Sequence, residues 1–476
     1  MALANFLLLT ILFISSHFPT HGINQNQTLQ SMILKSCHKI ENRDACISNM
    51  QSRIDSSQDR ESHDHFSILT AALHNAHDET RLTIDRIGTF NALSITNREQ
   101  LALADCKELL DFSVSELGWS MSEMNKIRSG FKNPNSDGNL KAGSVAALSN
   151  QDTCLEGVRG TGPARRYVRG SLSQVTQLIG NVLTLYTQMH SLPFKPSRNN
   201  INSTNKGVFP KWMTDGDKEM LVSSPNGMHV DSVVALDGSG RYRSIGQAIF
   251  EAPTVSGKGF IARDITFRNT AGPENHQGVA LRVDSDQSAF YRCSMEGYQD
   301  TLYAHSLRQF YRECTVSGTI DFIFGNGAAV LQNCKIFTRR PLPLQKVTIT
   351  AQGRKDPHQS TGFSIQDSYV YATRPTYLGR PWKLYSRTVF INTYMSSMVQ
   401  PRGWLEWYGD FGLGTLWYGE YRNYGPGAKT SGRVKWPGFH IIRDASTAGF
   451  FSVGRFLNGM SWLPATGVKF TAGLTN

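Results

Sequence analysis

Three cysteines in the second half of the chain recur at a nearly constant spacing, and this spacing strongly constrains the fold. Cys293, Cys314 and Cys334 stand 21 and 20 residues apart, and the segment FYRC at 290–293 is echoed by FYREC at 310–314. Such an echo is typical of a solenoid, in which each repeat forms one coil and equivalent residues stack on neighbouring coils. Short strands also occur in β-sandwiches and propellers, but the repeat favours a parallel β-helix.

Two aspartates, Asp300 and Asp321, stand one repeat apart in this region, in the motifs GYQDTLY (297–303) and DFIFGN (321–326). Each lies among aromatic, aliphatic and small residues, where an ionised carboxylate is costly unless it has partners. A single aspartate in a solenoid is often only the cap of a turn. Two of them at one-coil spacing on one face predict a pair of carboxylates that divide acid and base work.

The N-terminus carries the apolar stretch FLLLTILFI (6–14), followed by small and polar residues up to Gly22. It is too short to span a bilayer, so we interpret residues 1–22 as a secretory signal peptide, with an interfacial anchor as the alternative. The sequence therefore predicts an exported protein in which disulfides persist. In that compartment the sequons at Asn26 and Asn202 are predicted glycosylation sites.

The chain is basic, with a formal net charge of +11 over 476 residues. For an exported protein this charge indicates an acidic polysaccharide as partner, although a basic surface that only aids solubility is the alternative. No nucleic-acid or membrane partner is expected. Neither a Cys-x-x-Cys pair nor a His-Glu-x-x-His motif occurs in the sequence, so we expect no metal and no other cofactor.

The length and the change of pattern along the chain predict two domains. Residues 24–190 contain apolar stripes with alternating steps of four and three, which predict an all-α four-helix bundle. Residues 191–228 are polar and have no period, which indicates a linker. Residues 229–476 contain short β-branched and aromatic runs broken by Gly, Asn and Asp, and they form the predicted all-β domain.

Five ordered motifs of the second half resemble plant pectin methylesterases: QGVALR (277–282), GYQDTLY, DFIFGN, YLGRPW (377–382) and WLPATG (462–467). The helical half, with four cysteines and NQDTCLEG (150–157), resembles the inhibitor domain that often precedes such enzymes. The resemblance implies a right-handed parallel β-helix that removes methyl esters from homogalacturonan in the plant cell wall. It also implies an intramolecular inhibitor domain.

The resemblance assigns roles to the acidic residues. Asp321 matches the nucleophile, and Arg380 matches the cation that keeps this carboxylate ionised and oriented. Asp300 would protonate the departing methanol and then activate the water that cleaves the acyl-enzyme. Read without the family, Arg380 alone is as consistent with a structural ion pair.

Three further residues complete the expected site. Gln277 and Gln299 would donate amide N–H groups to the oxyanion, and Trp382 would stack on a sugar face. Taken singly, Gln277 could be a surface amide and Trp382 a core residue. The sequence lacks a Gly-x-Ser-x-Gly motif, so a serine-hydrolase mechanism has no signature here.

Disulfides are expected in both domains. The resemblance suggests that Cys37 pairs with Cys46 and that Cys106 pairs with Cys154. In the solenoid, adjacent coils lie about 4.8 Å apart, within the Cα separation of a disulfide. On this argument Cys314 could pair with either of its neighbours in the repeat, which leaves one of the three unpaired.

One departure from the family pattern affects the functional expectation. At Pro253 the chain runs directly into Thr254, where relatives have several tens of further residues. Two hypotheses therefore stand: an active esterase restrained by its helical domain, or a catalytically impaired relative that acts as a pectin-binding or inhibitory protein.

Overall fold

The computed structural model describes residues 30–31, 33–34, 37, 43–56, 65–90, 97–129, 136–158, 162–190 and 258–475. The expected signal peptide, both sequons, the linker and the junction between residues 253 and 254 lie outside these ranges. No helix within them is both long and apolar enough to cross a membrane.

The described part of the first half is helical, as predicted. Its helices are α1 (Arg43–Ser56), α2 (His65–Thr89), α3 (Asn97–Arg128), α4 (Ser136–Gly157) and α5 (Pro163–His190). Helices α2 to α5 pack together as a bundle, and the shorter α1 packs against α2. The apolar stripe of α5 is buried throughout, which explains why the sequence period located this helix: Val168, Leu172, Val175, Ile179, Val182 and Tyr186.

Two disulfides join the helical half, and both expected pairs are confirmed. Cys37 bonds to Cys46, nine residues away, and fastens the segment before α1 to that helix. Cys106 of α3 bonds to Cys154 of α4, 48 residues away, and fixes the two helices with the longest mutual contact in the bundle.

The second half is built from short strands that pair only in parallel. Nineteen strands lie within 258–475. They are β1 (Ile261–Arg263), β2 (Thr266–Arg268), β3 (Leu281–Val283), β4 (Ser288–Tyr291), β5 (Ser294–Glu296), β6 (Leu302–Ala304), β7 (Arg308–Arg312), β8 (Thr315–Gly318), β9 (Ile323–Gly325), β10 (Ala328–Gln332), β11 (Lys335–Thr338), β12 (Val347–Gln352), β13 (Gly362–Gln366), β14 (Tyr369–Tyr371), β15 (Thr376–Gly379), β16 (Arg387–Ile391), β17 (Tyr394–Met395), β18 (Trp417–Tyr421) and β19 (Phe439–Ile441).

These strands form three sheets. Sheet A has the order β1-β4-β7-β10-β13-β16-β18-β19, sheet B the order β2-β5-β8-β11-β14-β17, and sheet C the order β3-β6-β9-β12-β15. The chain visits A, B and C once per coil, so the domain is a right-handed parallel β-helix. Equivalent side chains stack inside it, as Phe290 on Tyr311 with ring centroids 4.8 Å apart. The predicted solenoid is therefore confirmed.

The corner between sheets A and B is turned by one residue in the left-handed region. The residues with positive φ at this corner are Asp264, Arg292, Glu313, Asn333, Asp367, Asn392 and Arg422. Four of the seven are Asp or Asn, the non-glycine residues that adopt this conformation most readily. Because one residue completes the corner on every coil, the strands that follow it stay in register.

The three solenoid cysteines stack in the core, one per coil, directly after this corner. All three are buried and free, so the expected pairing of Cys314 with Cys293 or Cys334 is wrong. Side chains in register on parallel strands point the same way, which keeps their Cβ atoms a full coil apart, beyond the separation of about 4 Å that a disulfide needs. Each sulfur instead lies against a backbone carbonyl; that of Cys314 is 3.3 Å from the Phe290 oxygen.

The outer face of sheet A is covered by the C-terminal segment, which includes the short helices α6 (Ala445–Gly449) and α7 (Val453–Phe456). Phe310 and Val330 of sheet A pack in one apolar cluster with Trp462 and Leu463. The motif WLPATG therefore has a packing role. Sheet C carries the corner with the two aspartates, and its surroundings are contacted by α4.

Candidate active site

The two aspartates occupy equivalent corners on neighbouring coils, just before strands β6 and β9. Leu302 pairs with Ile323 in sheet C, which places Asp300 in register with Asp321. Both adopt left-handed backbone conformations, with φ of 62° and 50°. This conformation costs a non-glycine residue about 1–2 kcal/mol, and here it is found at the two carboxylates that line one cavity.

That cavity has a volume of about 480 Å³ and brings together all six residues expected from the sequence. Its walls are formed by Gln277, Gln299, Asp300, Asp321, Phe324, Ala351, Arg380, Trp382 and Trp407 of the β-helix, and by Glu156 and Arg165 of the bundle. The site is therefore a shared space between the two domains.

Asp321 is held by a two-pronged ion pair. Arg380 donates from Nη2 to Oδ2 at 2.6 Å and from Nε to Oδ1 at 2.9 Å. The guanidinium lies over the Trp407 ring, with 4.3 Å from Cζ to the ring centroid. Since the Asp321 side chain is only 6% exposed, this geometry fixes both carboxylate oxygens in a largely desolvated place.

A threonine that the sequence analysis did not identify also holds Asp321. The Thr348 hydroxyl donates to Oδ1 at 2.6 Å and accepts from the Asp321 backbone N–H at 2.9 Å. The coil between the two residues is 27 residues long, as the pairing of Ile323 with Thr350 shows. This longer coil breaks the period of 20 or 21 residues, and that period was the only signal available for locating stacked residues.

The two glutamines stack as expected. Gln277 and Gln299 form a parallel bridge, and the Gly278 N–H donates to the Gln299 carbonyl at 3.0 Å. Gln277 lies on the first described coil and is exposed, whereas Gln299 is half-buried. Two amide side chains on adjacent coils therefore reach the space beside Asp300 and Asp321.

Trp382 belongs to an aromatic cluster at the wall of the cavity. Its ring centroid is 5.9 Å from Phe324 and 6.4 Å from Tyr303, and the latter two rings stack at 4.2 Å. A Cβ at Gly353 would stand 2.8 Å from the Trp382 ring, so a glycine is required for this approach. The ring is partly exposed to the cavity, as a sugar platform requires.

Helix α4 crosses the β-helix beside this cavity through polar contacts. Lys355 donates to Asp152 at 2.5 Å, Lys383 pairs with Glu156, and the Asn326 amide donates to the Ser149 hydroxyl at 2.8 Å. No motif in the sequence of the bundle pointed to a site there. These contacts join residues about 180 to 230 positions apart, which no local pattern can reveal.

The same helix makes further contacts along sheet A and sheet C. Asn139 accepts from Arg308 Nη2 at 2.6 Å, and Thr153 lies 2.5 Å from His305 Nε2. Arg308 also forms a buried ion pair with Asp286. The contact surface of α4 thus extends over several coils, and its described contacts are hydrogen bonds and ion pairs.

Two of the carboxyl groups with displaced pKa values at this interface are Glu116 and Asp284. Burial raises the pKa of Glu116 in α3 well above its usual range, and the nearby carboxylates of Asp284 and Asp286 raise it further. Burial would also raise the pKa of Asp284, but His305 and Arg282 hold it at about 2. Glu116 therefore binds a proton more readily than an exposed glutamate does, close to aspartates of the β-helix whose pKa values are lowered.

No group of three or more His, Cys, Asp or Glu side chains among the described residues is arranged to hold a metal ion. The arrangement is one of two carboxylates, an arginine and amide donors. These groups are suited to ester hydrolysis by covalent and acid–base catalysis.

Comparison with known proteins bears on this chemistry. The family profile described as "Pectinesterase" matches residues 254–460, and the profile "Plant invertase/pectin methylesterase inhibitor" matches residues 31–185. The Arabidopsis thaliana protein named "Putative pectinesterase/pectinesterase inhibitor 22" is 52% identical over 547 aligned positions, covering 98% of this chain and 99% of the relative. The chain belongs to the pectinesterase family with an N-terminal inhibitor domain.

Two further proteins named as pectinesterases are similar to a smaller share of this chain. "Pectinesterase/pectinesterase inhibitor PPE8B" of Prunus persica is 43% identical and covers 78% of this pectinesterase and 82% of its own length. The solved structure "Pectin methylesterase from Carrot" is 42% identical, covers 53% of this chain and 100% of its own, and gives a TM-score of 0.49.

Proposed function

We propose that this pectinesterase hydrolyses the methyl esters of homogalacturonan through Asp321 as nucleophile. The observation that carries the proposal is how the Asp321 carboxylate is held. Two donors of Arg380 and the hydroxyl of Thr348 hold its oxygens in a cavity that also contains Asp300 and two amides. A buried carboxylate with this support is oriented for attack and stabilised as an anion.

In the first half-reaction, an Asp321 oxygen attacks the ester carbonyl carbon. The amide groups of Gln277 and Gln299 donate to the oxygen that becomes negative. The intermediate collapses with cleavage of the bond to the methoxy oxygen, which takes the proton of Asp300 and leaves as methanol. An acyl-enzyme at Asp321 remains, with Asp300 ionised.

In the second half-reaction, the Asp300 carboxylate takes a proton from water as this water attacks the acyl carbon. The bond to Asp321 breaks, which releases the galacturonic acid group and restores the starting protonation of both aspartates. The acid then gives its proton to solvent and becomes the free carboxylate. Trp382 and its neighbours Phe324 and Tyr303 provide the apolar wall on which a sugar ring stacks.

The helical half acts in this proposal as an intramolecular inhibitor. Its support is the placement of Glu156 and Arg165 in the wall of the same cavity as Asp321. We further propose that the protein is secreted and glycosylated and works in the cell wall. This localisation is supported by the apolar N-terminal stretch, the sequons, the two disulfides and the net charge of +11.

We also propose that coil-forming residues are missing between Pro253 and Thr254 relative to other pectinesterases. The family profile begins at residue 254, and the alignment with the Arabidopsis relative is longer than this chain. Ile261 and Ile265 of the first described coil are 41% and 38% exposed. The complete set of site residues argues for an active enzyme over an impaired relative.

The direct test is methanol release from highly methylated pectin by the purified full chain. A second preparation carries Ser149→Ala and Thr153→Ala, which weaken the hold of α4 on the β-helix. We expect the second to release methanol faster than the first. If neither preparation exceeds an Asp321→Asn control, the chain is not an esterase.

A further inference from the structure

We propose that Lys355 and Lys383 form two binding positions for free carboxylates of partly de-esterified homogalacturonan, and that Asp152 and Glu156 occupy these positions in the docked form. The inference rests on the proposed function, because it names the charge state of the polymer that the groove binds. It assigns to α4 the role of imitating that polymer.

Both lysines lie close in sequence to residues of the aromatic wall of the cavity. Lys383 follows Trp382 directly, and its Nζ stands 5.1 Å from the Trp382 ring centroid. Lys355 comes two residues after Gly353, which packs against the same ring. A sugar that stacks on Trp382, in the wall of the cavity with Asp321, would therefore have the Lys383 cation beside it, with Lys355 following the glycine that packs on the same ring.

Both lysines are partly buried, and among the described residues the acids that pair with them belong to the bundle. The side chains of Lys355 and Lys383 are 23% and 24% exposed, and each forms its salt bridge with one acid of α4. In the described part of the chain, neither lysine pairs with a carboxylate of the β-helix. When the bundle leaves, two partly desolvated cations therefore lose their counter-charges at the same time.

A uronate carboxylate supplies the chemistry that Asp152 and Glu156 supply in the docked form. The two acids are four residues apart on α4, so they stand one above the other on one face of the helix, about 5–6 Å apart. They present a short row of single negative charges, as a de-esterified polyuronate does. A methyl ester is neutral and gains nothing from these lysines, so the positions select free carboxylates beside the ester that reacts.

The alternative is that the lysines only fasten the bundle. The two ideas differ in what happens when the acids of α4 are removed. If the lysines are binding positions, a polyuronate takes the vacated places. If the lysines only fasten the bundle, the polyuronate does not bind to them.

The experiment uses three full-length variants and an unesterified galacturonate oligomer as the probe. The first is Asp152→Asn/Glu156→Gln, the second adds Lys355→Gln and Lys383→Gln, and the third instead adds Lys335→Gln, an exposed lysine on sheet B. Binding is measured by calorimetry at low salt, and thermal unfolding checks that each variant is folded.

We expect the first and third variants to bind the oligomer at least about tenfold more tightly than the unmodified chain, and the second to lose most of this gain. No gain in the first variant, or an equal gain in the second, would overturn the proposal. Because the probe carries no methyl ester, the result is independent of turnover. Methanol release tests the esterase proposal separately.

Discussion

Two faces of the same β-helix are covered by helical segments, and the two covers are chemically different. The C-terminal segment covers sheet A with apolar residues such as Trp462 and Leu463, which are almost fully buried. Helix α4 covers the region beside sheet C with hydrogen bonds and ion pairs, such as those of Asp152 and Ser149. Apolar burial is hard to reverse in water, whereas polar partners can exchange with water or with another ligand.

This difference indicates that one cover is permanent and the other removable. The C-terminal segment completes the core of the β-helix, so it belongs to the stability of the domain. The cover formed by α4 lies over the cavity with the two aspartates and leaves polar groups behind when it departs.

The largest effect is expected in the cavity beside α4, where the two aspartates lie. Asp321→Asn should lower methanol release from pectin about 1,000-fold or more, because the amide is a poor nucleophile of nearly the same shape. Thermal unfolding should stay close to that of the unmodified chain. A folded variant with unchanged turnover would exclude Asp321 as the nucleophile.

The permanent cover should respond in stability instead. Trp462 is 3% exposed, and its Nε1 donates to the Leu457 carbonyl at 3.1 Å. Trp462→Ala should destabilise the β-helix by about 3–5 kcal/mol, measured by denaturant unfolding. Ser149→Ala is the matched change in the other cover, and it should cost about 1 kcal/mol of docking. Equal losses of β-helix stability would contradict the comparison.

A smaller effect on turnover is expected from the threonine behind Asp321. Thr348→Val removes the hydroxyl that fixes Oδ1 but keeps the size of the side chain. We expect kcat to fall about 10- to 100-fold, because a loosely held nucleophile spends less time in the reactive orientation. Thr348→Ser keeps the hydroxyl and should recover most of the loss. A variant in which only KM changes would show that Thr348 does not position Asp321.

The smallest effect is a dependence of docking on pH. The pKa of Glu116 is raised in the docked form by burial and by Asp284 and Asp286, and the contribution of these aspartates vanishes when the domains separate. The docked form therefore binds more protons than the open form, so docking is favoured at low pH and weakens as pH rises through the raised pKa. Protease accessibility of the interface against pH measures this change.

Glu116→Gln resembles the protonated carboxyl at every pH. Its docking should therefore be strong at low pH and should weaken less than that of the unmodified chain as pH increases. Glu99, at the start of α3 and half-buried, provides the control change Glu99→Gln. An unchanged pH profile in Glu116→Gln would assign the pH dependence to other groups.

The comparison also separates what the sequence could predict from what it could not. Coils of 20 and 21 residues revealed the solenoid and the register of Asp300 with Asp321, because stacking makes a constant period visible. The stripe of α5 revealed the bundle for the same reason. Thr348 was missed because its coil is longer, and Trp407 because it follows no repeated motif.

The contacts of α4 were not predictable, because their partners are distant in sequence and belong to different domains. The resemblance named the residues of the site and the support of Asp321 by Arg380, but not the support by Thr348. The disulfide expected in the solenoid was wrong because of the direction of the side chains. Cysteines on adjacent coils are a suitable distance apart along the β-helix, but their side chains point the same way and not toward each other.

The three stacked thiols can report the opening of the β-helix. Burial raises the pKa of Cys314 well above its usual range, and all three cysteines of the stack are shielded from solvent. A water-soluble thiol reagent can modify them only when the coils separate. The described cysteines of the bundle are already paired in disulfides. The rate of labelling therefore measures the opening of the β-helix, and it does not report the departure of the bundle. Proteolysis at the interface therefore measures the departure of the bundle, and alkylation of the core measures the opening of the β-helix, both in the unmodified chain.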